Sequence, residues 1–326
     1  MAVVGVRQIV IPAADSRCRD RQYPLTGAGA GASRGGSRRG LVTVAEHYQR
    51  LHVHYQGCRL RAYLACLALI TCTASVAGGL TQPLVVCADP NNLPFSNRER
   101  AGFENKIIER VAKDLGTSVS YVWWAQRRGY VRNTLNDSKC DVWPGMASGV
   151  NLAATTHPYY RSTYVFVTRE EASLAHLTLD DPRLKSASIG VQMIGNDSMN
   201  TPPAHAIASR GIVANVRGYM VYGDSGKSDV IPAIMDAVAH RQIDVALVWG
   251  PLAGYFAHRS ATPLRIEAVT PANVAPWPMA FDISMGVKRN NRELLERINV
   301  SLERLQPAIS TILKAYQVPL ERVNTR

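Results

Sequence analysis

The 326-residue sequence predicts an α/β protein made of two α/β units, and three observations indicate this fold class. The run Leu84–Cys87 is apolar without polar alternation, as expected for a parallel strand that is covered on both faces. A helical pattern follows this run at Phe103–Leu115. Strand and helix patterns then alternate with crossovers of ordinary length, and the alternation begins again after residue 186. We therefore expect a parallel sheet in each unit.

The elements of both units are predicted from the spacing of apolar residues and of turn residues. The first unit has strands at Leu84–Cys87, Val119–Trp124, Cys140–Met146 and Tyr164–Thr168, and helices at Phe103–Leu115 and Tyr130–Asn136. The second unit has strands at Ala187–Gln192, Val213–Val221 and Asp244–Trp249, and helices at Ala204–Arg210 and Asp229–Arg241, the last capped by Ser228 or Asp229. A strand at Phe281–Val287 then returns, followed by amphipathic helices at Arg292–Leu305 and Pro307–Ala315.

This order places the second unit inside the first. We expect one lobe to comprise residues 83–166 and 285–320, and the other lobe to comprise residues 167–284. Residues 164–169 carry the chain out of the first lobe, and residues 264–287 bring it back. Two crossing strands form a hinge, and two lobes around a hinge enclose a cleft.

The polar loop after the first strand is the first candidate for a binding site. Asp89-Pro90 ends the strand, and ligands of open α/β sheets bind at the carboxyl ends of strands. The loop offers polar groups on Asp89, Asn91 and Asn92 and one ring on Phe95. It has no glycine-rich phosphate fingerprint, which argues against a nucleotide ligand.

The net charge of +12 gives little support for nucleic-acid binding. Residues 1–77 contain 10 of the 37 Lys and Arg and 3 of the 25 Asp and Glu, so 27 and 22 remain for residues 78–326. The body of the protein therefore has a net charge of only +5, which is spread along a folded chain.

Residues 56–77 have the features of a secretory signal peptide. Arg59 and Arg61 precede a short apolar stretch at residues 62–72, and small residues end at Ala77, where we expect cleavage. The alternative is a membrane anchor, but the apolar run falls short of the roughly 18 residues that a span requires. After cleavage we expect no membrane-spanning segment.

Residues 1–55 precede this signal peptide and contain the stretch AGAGASRGGSRRG, which is too polar and glycine-rich to form a core. We interpret them as a non-native leader, with translation starting near Leu51 or Val53 at a non-Met codon. The alternative is a genuine disordered extension.

Only two cysteines, Cys87 and Cys140, belong to the mature chain. Two cysteines in an exported protein are usually bridged. However, one lies near the carboxyl end of a strand and the other opens a strand, so the distance between their Cα atoms could exceed the roughly 7 Å limit. The sequence leaves the bridge undecided. Neither cysteine has a Cys or His at ligand spacing, so we expect no metal site.

Six segments of the mature chain resemble a branch of the type II periplasmic binding proteins. They are CADPNNLPFSN (87–97), GFENKI (102–107), WWAQRRGYVRNTLN (123–136), CDVWPG (140–145), HPYYRSTYVFV (157–167) and DVALVWGPLAGYFA (244–257). This branch is the accessory family associated with quinoprotein dehydrogenases, including methanol dehydrogenases, and the resemblance covers about residues 83–320.

The resemblance implies the type II periplasmic binding protein fold, with two α/β lobes joined by a two-strand hinge. It also implies an exported protein of the Gram-negative periplasm that is not an enzyme and carries no cofactor of its own. The implied partner is a methanol dehydrogenase that depends on pyrroloquinoline quinone (PQQ), which the protein would help to activate or mature.

The charged anchors of the amino-acid-binding relatives are missing from this sequence. Those relatives place an Arg about nine residues before the Pro-Tyr pair, where this chain has Gly149. They also place an Asp at the end of a second-lobe strand, where this chain has Trp249. Losing such charge-assisted contacts typically removes several kcal/mol of affinity, so we expect no amino-acid ligand and a gap far larger than an amino acid.

We expect instead an aromatic-rich cleft for a partner loop, a peptide segment or a bulky flat molecule. The residues expected to line it are Asp89, Asn91, Asn92, Phe95, Trp124, Gln126, Arg127, Met146, Tyr159, Tyr160, Arg161, Trp249 and Pro251. The alternative is that several of these rings are core, as is common beside strands, and that the polar loop residues only cap turns.

Two arginine positions allow two interpretations each. The pair Arg127-Arg128 and the single Arg161 suit carboxylates of a ligand or of an acidic partner surface. They are equally consistent with a solvated surface. Bound PQQ, which has three carboxylates, would require two or three Arg converging with a Trp, and the sequence permits this without demanding it.

Three functional hypotheses follow. The first is a periplasmic accessory protein of the dehydrogenase, the second is the solute-binding protein of an ABC transporter, and the third is an enzyme on this scaffold. The mature chain contains no G-x-S-x-G, H-E-x-x-H or C-x-x-C motif, and its histidines have no partners at catalytic spacing. We therefore expect a binding protein rather than an enzyme.

Overall fold

A computed structural model of the chain describes residues 82–127, 129–193, 200–220 and 232–322. The predicted leader, the predicted signal peptide, Arg128 and the helix cap at Ser228 or Asp229 lie outside the described residues. Among the described helices, none combines the length and the apolar character needed to cross a bilayer.

The described part of the chain contains the predicted strands and helices in the predicted order, together with several elements that were not predicted. The strands are β1 (Leu84–Ala88), β2 (Asn91–Asn92), β3 (Ser96–Asn97), β4 (Val119–Trp123), β5 (Val142–Ala147), β6 (Ala154–Thr155), β7 (Tyr160–Arg169), β8 (Ile189–Met193), β9 (Val216–Met220), β10 (Val245–Trp249), β11 (Leu264–Ala268), β12 (Asn273–Val274), β13 (Trp277–Pro278) and β14 (Ala280–Val287). The α-helices are α1 (Phe103–Asp114), α2 (Tyr130–Asn133), α3 (Pro202–Ala208), α4 (Ala233–Ala239), α5 (Gly250–Ala257) and α6 (Arg292–Ala315), and a 3₁₀ turn lies at Pro182–Lys185.

Ten of the described strands form one mixed sheet in the order β4-β1-β5-β14-β7-β10-β8-β9, with β11 beside β7 and β6 beside β14. The outer pairs are parallel, as predicted: β1 with β4 and β5, and β8 with β9 and β10. The expectation of wholly parallel sheets is wrong at the centre. There, β14 is antiparallel to β5 and β7, and β7 is antiparallel to β10, because the outgoing and returning strands run in opposite directions.

The long strand β7 belongs to both halves of the sheet. Its first residues, Tyr160–Thr163, pair with β14, whereas Tyr164–Thr168 pair with β10. Residues 165–169 also pair with β11, so this part of β7 has a neighbouring strand on each edge. The residue limits of the two lobes remain a prediction.

The first half is held together by two helices that pack on each other and on the sheet. Phe103, Ile107 and Ile108 of α1 are fully buried in one cluster with Ile298 and Leu302 of α6. The i, i+4 spacing places these apolar side chains on one face of each helix, which explains why the helices form against this sheet.

In the second half, β10 is covered on both faces. Val245 and Leu247 contribute to one hydrophobic cluster, and Ala246 and Val248 contribute to another on the opposite face. A strand buried on both sides requires a continuous apolar sequence, and this explains the run VALVW.

Helix α6 corrects the expectation of two C-terminal helices. It runs without interruption from Arg292 to Ala315 and contains Pro307. The proline removes one backbone donor but does not end the helix. Buried Ile298 and Leu302 before it and Ile309 and Leu313 after it hold both segments against the same core.

Cys87 and Cys140 form a disulfide, with their Cα atoms 5.6 Å apart. The sequence left this bridge undecided because the two residues were expected at opposite ends of neighbouring strands. Cys140 instead lies in the turn before β5, where the backbone N–H of Asp141 donates to the carbonyl of Val85 at 2.8 Å. This contact brings the entry of β5 beside the carboxyl half of β1.

Candidate functional site

A cavity of about 350 Å³ lies where the two halves of the sheet meet. This volume is at the lower end of the range for small-molecule sites. The residues that line it are Asn92, Phe95, Glu104, Gln126, Gly145, Ala147, Tyr160, Tyr164, Gln192, Thr201, Pro202, Trp249, Leu252, Phe281 and Ile283. None of these described lining residues is a lysine, arginine or histidine.

The loop after β1 forms one wall and is organised by Asp89. Its carboxylate accepts hydrogen bonds from the backbone N–H of Asn91 at 2.8 Å and from that of Gln126 at 2.6 Å. The Asn92 side-chain amide donates to Oε1 of Gln126 at 2.9 Å. Asp89 therefore fixes two loops to each other, and the amides of Asn92 and Gln126 are presented to the cavity.

Three aromatic rings from the centre of the sheet form a second wall. Tyr164 of β7 meets Trp249 of β10 edge-to-face with ring centroids 5.1 Å apart. Phe281 of β14 packs on both, at 6.5 Å from Tyr164 and 6.0 Å from Trp249. Edge-to-face packing of this kind stabilises the ring positions, so the cavity has a preformed aromatic surface. Phe95 and Tyr160 add rings from the first half.

The second half contributes an amide and a hydroxyl. Oε1 of Gln192 accepts a hydrogen bond from the backbone N–H of Trp249 at 2.7 Å. The Thr201 hydroxyl donates to the carbonyl of Gln192 at 2.7 Å and so ties the start of α3 to the end of β8. These contacts fix Gln192, Thr201 and Pro202 on the side of the cavity that the second half forms.

Glu104 is the one carboxyl group among the described lining residues, and it is 7% exposed. It belongs to the first turn of α1, where its backbone N–H donates to the carbonyl of Phe95 at 3.0 Å. Gly145 of β5 leaves room for the side chain, since a Cβ there would lie 2.4 Å from Oε1 of Glu104. Burial, together with the charge of Asp89, raises the pKa of Glu104 to about 8. The carboxyl is therefore mostly protonated at neutral pH.

Five residues of the sequence-predicted site line this cavity. They are Asn92, Phe95, Gln126, Tyr160 and Trp249. Two others, Asp89 and Asn91, lie in the loop behind the wall, where Asp89 organises the turn.

The remaining predicted site residues lie elsewhere. Met146 and Tyr159 are buried in core clusters, and the Tyr159 hydroxyl donates to the carbonyl of Pro144 at 2.9 Å. Trp124 is 40% exposed beneath the Lys139 ammonium, which is 4.7 Å from its ring centroid. Arg161 forms ion pairs with Asp282 and Glu321. Pro251 is buried in the first turn of α5. The backbone N–H of Arg127 donates to the carbonyl of Ala125.

Sequence reasoning missed Glu104, although the segment that contains it was noticed. The available signal was its position in the apolar stripe of α1. Residues 104, 107, 108 and 111 follow helical spacing, and the last three are Ile107, Ile108 and Val111. An acidic residue in such a stripe is expected to be buried, which is rare for an unpaired Glu and perturbs its pKa, as at functional sites.

The fold and the cavity define a bilobal binding protein. The chain matches the family model of the bacterial extracellular solute-binding proteins, family 3, over residues 84–317, and it belongs to this family. The crystal structure of the periplasmic binding protein XoxJ from Methylobacterium extorquens AM1 is similar, with a TM-score of 0.61 and 36% sequence identity, over 74% of this chain and 100% of that chain. The type II fold predicted from the sequence is thereby confirmed.

Within this family, the chain is similar to proteins of the MoxJ group. It is 31% identical to MoxJ of Methylorubrum extorquens over 249 residues, which cover 73% of this chain and 81% of that relative. It is 30% identical to MoxJ of Paracoccus denitrificans over 265 residues, which cover 76% of this chain and 92% of that relative. The family membership predicted from the six segments is confirmed by these matches.

Proposed function

We propose that this protein is an exported, non-catalytic accessory protein of a PQQ-dependent methanol or alcohol dehydrogenase. It binds the dehydrogenase or a segment of it in the periplasm and assists its activation or maturation. The similarity to MoxJ and XoxJ proteins supports this function over that of the solute-binding protein of an ABC transporter.

The observation that carries the proposal is the absence of zwitterion anchors from a cavity in the expected place. Position 149 is a glycine with positive φ, and Trp249 occupies the strand end where relatives place an Asp. No guanidinium group among the described lining residues could bind a carboxylate in a bidentate manner. The cavity thus has no cationic group for a carboxylate among its described lining residues, and its one carboxyl group, Glu104, lies on α1 rather than at the end of β10.

Two further features support export to an oxidising compartment. The family consists of extracellular solute-binding proteins. The Cys87–Cys140 disulfide is of the kind that persists outside the reducing cytosol.

Capture of the dehydrogenase tests the proposal. We expect the tagged mature protein to retain methanol dehydrogenase subunits from a periplasmic extract of methanol-grown cells, because the dehydrogenase is the proposed partner. The readout is mass spectrometry of the eluate, compared with an identically tagged amino-acid-binding protein of the same fold. Equal recovery of the dehydrogenase by both baits, or by neither, contradicts the proposal. A transporter receptor would instead bind one small solute with no protein partner.

A further inference from the structure

We propose that the cavity is a binding site for an organic ammonium group, held by the Glu104 carboxylate and by the aromatic rings of Tyr164 and Trp249. This inference goes beyond the proposed function and does not depend on it. It concerns the chemistry of a ligand, whichever protein or small molecule carries that ligand.

The charged groups of the cavity are of one sign. Its described lining residues include one carboxyl group and no basic side chain. The carboxyl of Glu104 is more than nine-tenths buried and lines the cavity. A cationic donor from a ligand would hydrogen-bond to this group and balance its charge.

An aromatic surface accompanies this carboxyl group in the cavity. The rings of Tyr164, Trp249 and Phe281 meet edge-to-face, with centroids between 5.1 and 6.5 Å apart. Tyr160 and Phe95 add two more rings to the lining. The faces of such rings attract cations, and ammonium ligands are bound by cages of this composition. A carboxylate and several rings without a basic residue therefore select a cation over an anion.

The carboxyl group and the rings reach the cavity from different elements. Glu104 lies on α1 in the first half, whereas Trp249 ends β10 in the second half. Both line the same cavity, so the two halves of the sheet contribute the anionic group and the aromatic surface.

Binding of a cation at Glu104 below about pH 8 displaces a proton, because burial raises the pKa of this group to about 8. The groups that face it are the Asp89 carboxylate from the loop after β1, the Tyr130 hydroxyl from α2, the Tyr159 hydroxyl from the residue before β7, and the Tyr160 hydroxyl from β7. Burial raises the pKa of each of these tyrosines well above its ordinary value, so they stay neutral. Affinity for a permanent cation should rise about tenfold per pH unit up to about pH 8 and then level off.

Choline and 3,3-dimethylbutan-1-ol make the sharpest pair of probes, since they have nearly the same shape and only choline is charged. We expect calorimetry at pH 8.5 to detect choline binding, and binding of the neutral alcohol to be at least about tenfold weaker. Choline should bind more weakly at pH 7, and its binding at this pH should release a proton. Titrations in buffers with different heats of ionisation measure the number of protons released.

Glu104→Gln tests the named residue. The substitution keeps the shape of the protonated side chain, so we expect the thermal midpoint to be retained. Choline affinity at pH 8.5 should fall at least about tenfold and lose its dependence on pH. Glu99→Gln is the matched control, because Glu99 is exposed and its loss changes net charge equally; its affinity should match that of the unsubstituted protein.

The source of the ammonium group is distinguished by a second ligand, the capped peptide acetyl-Gly-Lys-Gly-amide. Binding of choline alone indicates a free ammonium compound, whereas binding of the peptide alone indicates the lysine side chain of a docked segment. Either result supports the inference. Any of three results overturns it. They are equal affinity for choline and the neutral alcohol, choline affinity of Glu104→Gln equal to that of the unsubstituted protein, and no binding of either choline or the peptide. Capture of the dehydrogenase is measured separately, so the two proposals can fail independently.

Discussion

Replacing Phe103 with alanine should lower the free energy of unfolding by about 3–5 kcal/mol. The side chain is fully buried at the start of α1, in the cluster that joins α1, α6 and the sheet. Its ring contacts those of Phe95, Tyr160 and Tyr316 at centroid distances of 5.4, 5.9 and 5.8 Å. Truncation would leave a cavity that three rings from different elements cannot close. Urea unfolding followed by tryptophan fluorescence measures the change.

The control for this substitution is Val300→Ala, on the exposed face of α6. It should change stability by no more than about 0.5 kcal/mol. If Phe103→Ala lowers the free energy of unfolding by less than about 1 kcal/mol, Phe103 does not belong to the core that joins α1, α6 and the sheet.

Removal of the disulfide should have the second large effect. The bridge joins residues 53 positions apart in sequence, and closing a loop of this length in the unfolded chain corresponds to about 4 kcal/mol in the chain-entropy description. We therefore expect the double variant Cys87→Ala, Cys140→Ala to unfold at a markedly lower urea concentration. Both positions are buried among apolar neighbours, so alanine introduces no unpaired polar group.

Dithiothreitol provides the control for the disulfide. The reductant should shift the unfolding midpoint of the unsubstituted protein towards that of the double variant and leave the double variant unchanged. Identical midpoints for the oxidised protein and the double variant would show that the bridge does not constrain the unfolded chain.

Strands buried on both faces were predictable from the sequence, because their apolar runs have no polar interruption. The run Leu84–Cys87 corresponds to β1, Leu84–Ala88, and Asp244–Trp249 corresponds to β10, Val245–Trp249. The direction of β7 and β14 was not predictable from local patterns. It depends on how the chain crosses between the two halves, and no periodicity within one strand encodes that path.

Helix α5 was missed because its glycines and proline are typical of a loop. The structure gives these glycines a packing reason. A Cβ on Gly254 would lie 1.9 Å from the Gln317 carbonyl oxygen, and a Cβ on Gly250 would lie 2.5 Å from the Thr163 carbonyl oxygen. Glycine is required at both positions because the C-terminal segment and β7 pass close to the helix backbone. Such long-range contacts are invisible to a local reading of the sequence.

Site residues that directly follow the end of a strand were predictable from the sequence. Site residues that come together from distant elements were not. Asn92 and Phe95 belong to the loop after β1, so the general rule for open α/β sheets located them. Gln192, Thr201 and Phe281 reach the same cavity from three separate elements of the second half and the returning strand. Only the assembled sheet brings these residues together.

The most direct test of the central claim is a pair of calorimetric titrations of the purified mature protein. One uses purified methanol dehydrogenase and the other uses glycine, the simplest free amino acid. An accessory protein whose cavity lacks the zwitterion anchors should bind the dehydrogenase and give no heat with glycine. Stoichiometric, tight binding of glycine together with no binding of the dehydrogenase would contradict this account.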